Sequence, residues 1–229
     1  MLERMKRLKL ALLVNVLIVL FEVVVFALLI SNFGKGFDLS CVQYYTHYSN
    51  LLSLLTSLGI SIELVREITG RSPRTSYVSR LMRLMAVSTS TLTLIVVVFL
   101  LIPMNQFENT AELLFYHTNF LEHILCPVLS FYSFVFLGDY RDMGTKEAVI
   151  ATLPTLLYAI VSTTLNALGI MEGPYPFLLV YRQPVWLSVF YFILIVGGAY
   201  VLSWVLIVLA HKDNPDEKGI RNHGKKVAW

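Results

Sequence analysis

The sequence predicts an all-α membrane protein, a single bundle of six transmembrane helices, and three observations support this prediction. Apolar residues make up 56% of the 229-residue chain and charged residues only 14%, whereas soluble domains carry about 25% charged residues. Six apolar runs each approach or exceed the roughly 20 residues that cross a bilayer core. Almost all basic residues fall between alternate runs, as loops on one side of a membrane would place them.

Each predicted span is an apolar run bounded by polar residues. In chain order the spans are Leu8–Ser31, Tyr44–Val65, Leu84–Ile102, Leu113–Leu137, Ala148–Ile170 and Val185–Ala210. None of them alternates polar and apolar residues, which favours helices over barrel strands. The first run follows a basic start, but it is as long as a full span and no small-residue cleavage site follows it, so it is predicted to remain. Residues 1–210 therefore form one transmembrane domain, and residues 211–229 form a polar cytoplasmic tail.

The distribution of Lys and Arg predicts the orientation, because cytoplasmic loops retain positive charge. Sixteen of the eighteen basic residues precede span one, join spans two and three or spans four and five, or follow span six. Arg80 and Arg83 are counted with the loop between spans two and three, and only Lys35 and Arg182 lie opposite. Both termini are therefore predicted to be cytoplasmic in a cell membrane. Anionic lipid headgroups are the expected partners of the basic loops, and nucleic acid is not, since no aromatic stacking pattern accompanies them.

Polar residues inside the predicted spans gather in the halves that face away from the cytoplasm. They are Glu22, His47, Asn50, His117, Asn119, His123, Thr163, Thr164 and Asn166. The inner halves are predicted to be nearly all apolar, apart from Asn15 and the hydroxyl residues of span three. Because carboxyl, imidazole and amide groups are costly in a bilayer, this asymmetry predicts one polar cavity that opens outward.

Helical spacing places two polar stripes on spans two and four, which are separated by one span, since residues three or four apart share a face. The first stripe consists of Thr46, Asn50, Ser53 and Ser57, and the second of Tyr116, Asn119, His123 and Cys126. Structural interpretations compete with the functional one. The tyrosines that open span two can form an aromatic belt, His47 and His117 can simply be solvated, and Glu22 can lock two helices together. His123 lies deep enough to need a partner and is the strongest functional candidate.

Three short patches, in this order, resemble one family of membrane enzymes. They are Tyr45-Thr46-His47-Tyr48-Ser49-Asn50-Leu51-Leu52, His123-Ile124-Leu125-Cys126-Pro127 and Tyr175-Pro176-Phe177-Leu178. Together with the six-span layout, they resemble the androgen-induced membrane hydrolases, which cleave fatty acid esters of hydroxy fatty acids, and their bacterial relatives. The resemblance implies that Thr46 and His123 correspond to that family's essential threonine and histidine. The family's animal members carry an acidic residue one position before Asn50 and a longer histidine-to-proline spacing, so the resemblance does not extend to the substrate.

This resemblance implies a lipid ester hydrolase with a Thr46 nucleophile and a His123 base. Asn50 or Asn119 is expected to orient the pair or stabilise the oxyanion, Glu22 to hold His123 in one tautomer, and Tyr175 to support the site. Two other classes remain open, a noncatalytic lipid-binding protein and a carrier of small solutes or protons. The apolar inner halves argue against the carrier.

No metal or cofactor is expected. The sequence contains no glycine-rich phosphate loop, paired CxxC, HExxH or GxSxG motif, and the spacing of Cys41 and Cys126 fits no metal site. The sequence leaves the acyl substrate and the oligomeric state open.

Overall fold

The computed structural model describes residues 2–33 and 43–212, and within these ranges every regular element is helical. The helices are α1 (Leu2–Phe33), α2 (Tyr45–Ile68), α3 (Tyr77–Met104), α4 (Thr110–Phe115), α5 (Leu121–Leu137), α6 (Thr145–Ala167) and α7 (Val185–Lys212). Cys41, Lys35 and residues 213–229 of the predicted tail lie outside the described residues.

The predicted all-α class is confirmed for the described residues, and four of the predicted spans coincide with helices that can cross a membrane. By length and composition, these are Leu2–Ile30, Tyr77–Met104, Thr145–Ala167 and Val185–His211, which belong to α1, α3, α6 and α7. α2 is long enough to cross a membrane, but its hydroxyl, amide and charged residues lower its mean hydropathy. α5 is apolar but shorter. The four apolar helices indicate a membrane protein, and the count of six spans stays a prediction.

The fourth predicted span is not one helix. α4 ends at Phe115, Tyr116 is extended, and His117 adopts a left-handed φ of 48°. The chain therefore turns before α5, and the predicted stripe from Tyr116 to Cys126 does not lie on a single helix face. α5 itself begins with a π turn, Leu121–Leu125, which shifts its side chains relative to α-helical spacing.

Hydrogen bonds from the loops set where two helices start. Ser76 is the N-cap of α3, because its Oγ accepts from the amide of Ser79 at 3.2 Å, and its own amide donates to Glu63 at 2.6 Å. The Glu147 carboxylate accepts the amide of Gly144 at 2.7 Å at the start of α6. Both contacts tie a loop to a helix terminus at the same end of the bundle.

That end, called the basic end below, joins the start of α1, the α2–α3 and α5–α6 loops and the end of α7. Arg4 donates to the carbonyl of Pro73 at 3.0 Å, and Arg7 donates to that of Gly138 at 2.8 Å. The His211 ring nitrogen lies 3.0 Å from the Tyr140 carbonyl oxygen. The long helices α1, α2, α3, α5, α6 and α7 therefore alternate in direction, with α1 starting and α7 ending at the basic end.

Arg80 and Arg83 do not belong to the α2–α3 loop, so this part of the sequence interpretation is wrong. Both lie in α3 and are buried, with 4% and 0% exposure. Arg80 forms a bidentate pair with Asp142 and donates to the Asp139 carbonyl at 3.0 Å. Arg83 points into the bundle, where its Nη1 donates to the Ser57 hydroxyl at 2.6 Å. The basic end is thus held by ion pairs, and one guanidinium lies inside the helix bundle.

Apolar side chains fill the bundle and also cover its outside. One core cluster joins α3, α5, α6 and α7 around Leu84, Phe134, Ala151 and Leu206, and a second joins α1, α2 and α5 around Ile18. On the outside, leucine, valine, isoleucine and tryptophan side chains of α1 and α7 are exposed. Exposed apolar surface of this extent is typical of helices that face lipid.

Candidate functional site

Two adjacent cavities lie in the half of the bundle remote from the basic end. The first, called the site cavity, has a volume of about 440 Å³ and is bounded by α1, α2, α3, α5 and the Pro174–Pro176 segment. Its polar lining consists of Thr46, His47, Asn105, Thr118, Asn119, Glu122, His123 and the tyrosines Tyr44 and Tyr175. The second, called the apolar cavity, has about 60 Å³ and lies between α2, α3, α6 and α7.

Thr46 lies at the junction of these cavities, because it lines both of them. It occupies the first turn of α2 and is 6% exposed. Its Oγ1 is 3.5 Å from the Tyr175 hydroxyl, and Tyr175 also lines both cavities. Tyr175 is stacked on Phe177 and contacts Tyr44 edge-on. The threonine hydroxyl therefore faces a polar space on one side and an apolar space on the other.

His123 lines the site cavity from the α5 side, inside the π turn. Its Nδ1 is 2.8 Å from the carbonyl oxygen of Leu113. A carbonyl only accepts, so Nδ1 carries the proton and Nε2 of the neutral ring is the acceptor. This is the tautomer that a general base needs, and the segment around α4 supplies the carbonyl that selects it.

The structure brings Thr46 and His123 to the same cavity but does not join them by a hydrogen bond. The Thr46 hydroxyl has Tyr175 as its side-chain partner, and the His123 ring is hydrogen-bonded to the Leu113 carbonyl. The two side chains therefore face a shared space without contacting each other directly.

The best-connected polar group of the site cavity is Glu122, which the sequence analysis overlooked. Glu122 is 2% exposed; one carboxylate oxygen is 2.9 Å from His47 Nδ1, and the other accepts from the Thr118 hydroxyl at 2.8 Å. A carboxylate within an apolar segment is the signal that could have identified it. The same pair changes the interpretation of His47, which is bound to a buried carboxylate and not simply solvated.

The remaining predicted site residues have other environments. Asn119 lines the site cavity, but its amide nitrogen donates to the Glu112 carbonyl at 2.9 Å, which ties α4 to α5. Asn50 is fully buried and lines neither cavity. Glu22 does not hold the tautomer of His123, because the Leu113 carbonyl does. Those three predicted roles are therefore not the ones that the geometry supports.

Glu22 instead belongs to a buried polar column between α1, α2, α3 and α5. Glu22, Asn50 and Arg83 are each 0% exposed, and the Cys126 thiol and Arg83 guanidinium are polar neighbours of the Glu22 carboxyl. Below them, Ser53 and Ser130 are 3.2 Å apart, and Asn15 donates to Ser133 at 2.9 Å. The prediction that the inner halves are nearly all apolar is therefore wrong.

The column runs from one end of the bundle to the other. Glu122, whose charge acts on the Glu22 carboxyl, continues the column to the site cavity, while Asn15 and Ser133 line a separate cavity of about 400 Å³ at the basic end. Seven buried polar atoms of the column have no hydrogen-bond partner among the described residues, namely Asn15 Oδ1, both Glu22 oxygens, both amide atoms of Asn50, and Arg83 Nε and Nη2. Unpaired buried groups of this kind are rare in proteins and call for an explanation.

No group of three or more His, Cys, Asp or Glu residues within ranges 2–33 and 43–212 is arranged to hold a metal ion. The described fold and site define an all-helical protein with four apolar helices that can cross a membrane and a polar cavity lined by two threonines and two histidines, among other residues. Comparisons of the chain with models of protein families, with curated proteins and with solved structures find no match.

Proposed function

We propose that this protein is an integral membrane ester hydrolase in which Thr46 is the nucleophile and His123 the general base. The observation that carries the proposal is the position of Thr46 at the junction of the two cavities, with His123 facing the polar one. An ester needs this combination, since its carbonyl must meet a nucleophile and a base while its chain stays in an apolar environment. The resemblance of the three sequence patches to the androgen-induced membrane hydrolases supports the same pair.

In the proposed reaction, the Thr46 hydroxyl attacks the ester carbonyl while His123 Nε2 takes its proton. Collapse of the tetrahedral intermediate breaks the bond to the alcohol and leaves an acyl group on Thr46, and water then hydrolyses that acyl-enzyme. The Tyr175 hydroxyl, 3.5 Å from Thr46 Oγ1, is the donor we assign to the developing oxyanion. This assignment replaces Asn50, which lines neither cavity, and it is preferred to Asn119, whose amide nitrogen has the Glu112 carbonyl as its partner, whereas the Tyr175 hydroxyl contacts Thr46 itself.

The size of the apolar cavity limits the group that it can hold. A single water needs roughly 10–15 Å³ of such space, so about 60 Å³ fits a short acyl or alcohol segment and not a whole long chain. A longer chain would have to continue between α6 and α7 into lipid. We therefore propose membrane lipid esters as the substrate class, with the chain length to be measured.

The basic end is proposed to face the cytoplasm of a cell membrane, which places both termini there and the site cavity in the outer leaflet. The six long helices alternate in direction, and the described basic residues gather at one end, as the positive-inside rule requires. In this orientation α2 and α5 are also spans, shielded from lipid by their neighbours where they are polar.

The test is hydrolysis of a panel of fluorogenic and lipid esters of increasing acyl length by detergent-purified protein. We expect turnover in the native protein, its loss in Thr46→Ala and His123→Ala, and partial retention in Thr46→Ser, which keeps a hydroxyl. His117→Asn is the matched control, because His117 is exposed, lines neither cavity and has a backbone that Asn also adopts. Absence of turnover in folded native protein, with a lipid that co-purifies, would instead favour a noncatalytic lipid-binding role.

A second candidate function, proton passage, is favoured by the buried column. A few waters with about three hydrogen bonds each would satisfy its unpaired atoms and link the site cavity to the basic-end cavity. Glu22 is the described carboxyl group in the middle of that path, beside Arg83.

Proton passage can be tested in proteoliposomes with a K⁺/valinomycin potential. A proton flux that falls in Glu22→Gln and persists in Ser203→Ala would support it. Ser203 is a suitable control because it is buried between α3 and α7, where it contacts Ser88. A proton flux equal to that of empty vesicles would exclude proton passage.

A further inference from the structure

We propose that His47 is a second catalytic residue of the site, the acid that protonates the departing alcohol. This inference rests on the proposed hydrolase function and assigns the proton transfers within it. His123 alone would have to collect the Thr46 proton and deliver it to the leaving group. The geometry of the site cavity divides these two tasks between two imidazoles.

The two imidazoles reach the site cavity from opposite walls. Thr46 and His47 are consecutive in the first turn of α2, and Glu122 and His123 are consecutive in the π turn of α5. The contact of 2.9 Å between His47 and Glu122 links the two helices. It also sets the relative positions of Thr46 and His123, because each is the chain neighbour of one member of the pair.

The two imidazoles have different partners, and the partners suit different roles. His47 is bonded through Nδ1 to a buried carboxylate, so an added proton on Nε2 is balanced by the Glu122 charge. The second oxygen of Glu122 accepts from Thr118, which keeps the carboxylate fixed and charged. His123 is bonded through Nδ1 to the neutral carbonyl of Leu113, and it interacts with the Glu122 charge without a direct hydrogen bond to it. Pairs of groups whose environments differ in this way divide acid and base roles.

Around His47, the described titratable neighbours that bear on its charge are Glu122 and His123, and the ring of Tyr44 contacts it edge-on at 5.9 Å. Its side chain is 21% exposed, and it lines the site cavity. Among the described residues, His47 Nε2 has no hydrogen-bond partner, which leaves this atom to face a substrate.

The resulting cycle balances. In acylation, Thr46 Oγ forms a bond to the carbonyl carbon and its proton goes to His123 Nε2; the carbon–oxygen bond to the alcohol then breaks, and His47 Nε2 gives its proton to the alkoxide. In deacylation, water attacks the acyl carbon and its proton goes to His47, while the departing Thr46 oxygen regains its proton from the His123 imidazolium. The net reaction is ester plus water to acid plus alcohol, and both imidazoles return to their starting states.

The test compares two esters of one acid, an alkyl ester with a poor leaving group and a p-nitrophenyl ester whose leaving group needs no proton. The variant is His47→Asn, whose amide can still donate to Glu122 and so preserves the link between α2 and α5. We compare kcat/KM, which reports acylation and not the deacylation step that the two esters share. We expect kcat/KM of the alkyl ester to fall by about 10²- to 10⁴-fold and that of the p-nitrophenyl ester by about tenfold or less. His117→Asn should leave both rates unchanged.

Equal losses on the two esters would overturn the acid role, because a structural effect does not depend on the leaving group. No loss on the alkyl ester would overturn it too. Both results leave the proposed function intact if Thr46→Ala is inactive. An inactive native protein, with His47→Asn also inactive, would overturn the hydrolase proposal and this inference together.

Discussion

Tyr175 is the residue on which the proposed role of Thr46 as a nucleophile depends most directly. It lies in the segment between α6 and α7, with its hydroxyl 3.5 Å from Thr46 Oγ1 and its ring stacked on Phe177. Burial raises the pKa of its phenol to about 12. The group therefore stays protonated, and able to donate, over the whole pH range in which an enzyme is normally assayed.

At this scale we predict that Tyr175→Phe lowers kcat by about 10²-fold, the usual cost of one oxyanion donor, because the ring packing is kept and only the hydroxyl is lost. KM should change little. The measurement is steady-state ester hydrolysis, with Tyr181→Phe as the control, since Tyr181 is exposed and lines neither cavity. An unchanged kcat in Tyr175→Phe would remove this residue from the site chemistry.

The turn that carries Tyr175 is the element that completes the site. It leaves α6 through Gly169, whose φ of 68° favours glycine, and it folds back over the ends of α2 and α3. At Gly173, an added Cβ would lie 2.7 Å from the Leu178 carbonyl oxygen. The backbone there is thus packed against itself, and the position of Tyr175 depends on this close approach.

We predict that Gly173→Ala displaces the Tyr175 turn and lowers hydrolysis at least tenfold, while the helices keep their thermal stability. Gly59→Ala is the matched control, because an added Cβ in the middle of α2 would meet nothing within 4 Å; it should leave activity unchanged and can raise helix stability by about 1 kcal/mol. Activity and melting temperature of the two variants give the comparison. Normal activity in Gly173→Ala would show that the turn does not position Tyr175.

The positions of the long helices were the feature that the sequence predicted most accurately. Apolar runs located the long helices, because burial in lipid or core requires that composition. The break after Phe115 was not predicted, since His117 adopts its left-handed backbone without a glycine or proline to signal it. The π turn at His123 was also missed, and with it the pairing of Glu122, because periodicity arguments assume regular α-helical spacing.

At the scale of the whole molecule, ion pairs hold the basic end while polar groups occupy the middle. Arg80, with 4% exposure, pairs with Asp142, and Arg74 contacts the carboxylates of both Asp139 and Asp142. The hydrogen bond from Arg80 lowers the pKa of Asp142 below its usual value, against the opposing effect of burial. Because the folded-state pKa is depressed, this pair stabilises the fold at neutral pH and ceases to do so as the pH falls through that pKa.

We therefore predict that Asp142→Asn lowers the melting temperature at pH 7. The difference from the native protein should shrink as the pH falls below about 4 and through the depressed pKa of folded Asp142, below which the carboxyl is protonated in both states. Thermal unfolding in one detergent across this range gives the measurement. Glu108→Gln, at an exposed position remote from the basic end, should match the native protein throughout. A difference that is independent of pH would contradict the role of this charge.

Contacts between residues that lie far apart in the chain could not be predicted from the sequence. Basic residues predicted one charged end, but nothing local distinguishes Arg83, which reaches Ser57 inside the bundle, from the loop arginines before it. Thr46 and His123 both line the site cavity, whereas the Leu113 carbonyl that sets the His123 tautomer depends on where α4 packs. Partners of this kind are set by tertiary packing and leave little trace in residue spacing.

The proposed role of Thr46 as the nucleophile is tested most directly by identifying the residue that an ester-directed fluorophosphonate modifies. The purified protein would be incubated with the reagent and analysed by intact and peptide mass spectrometry, beside Thr46→Ala and His123→Ala. We predict a single adduct, on Thr46. It should be absent in Thr46→Ala and should form far more slowly in His123→Ala. An active protein labelled on another residue, or labelled equally in Thr46→Ala, would contradict it.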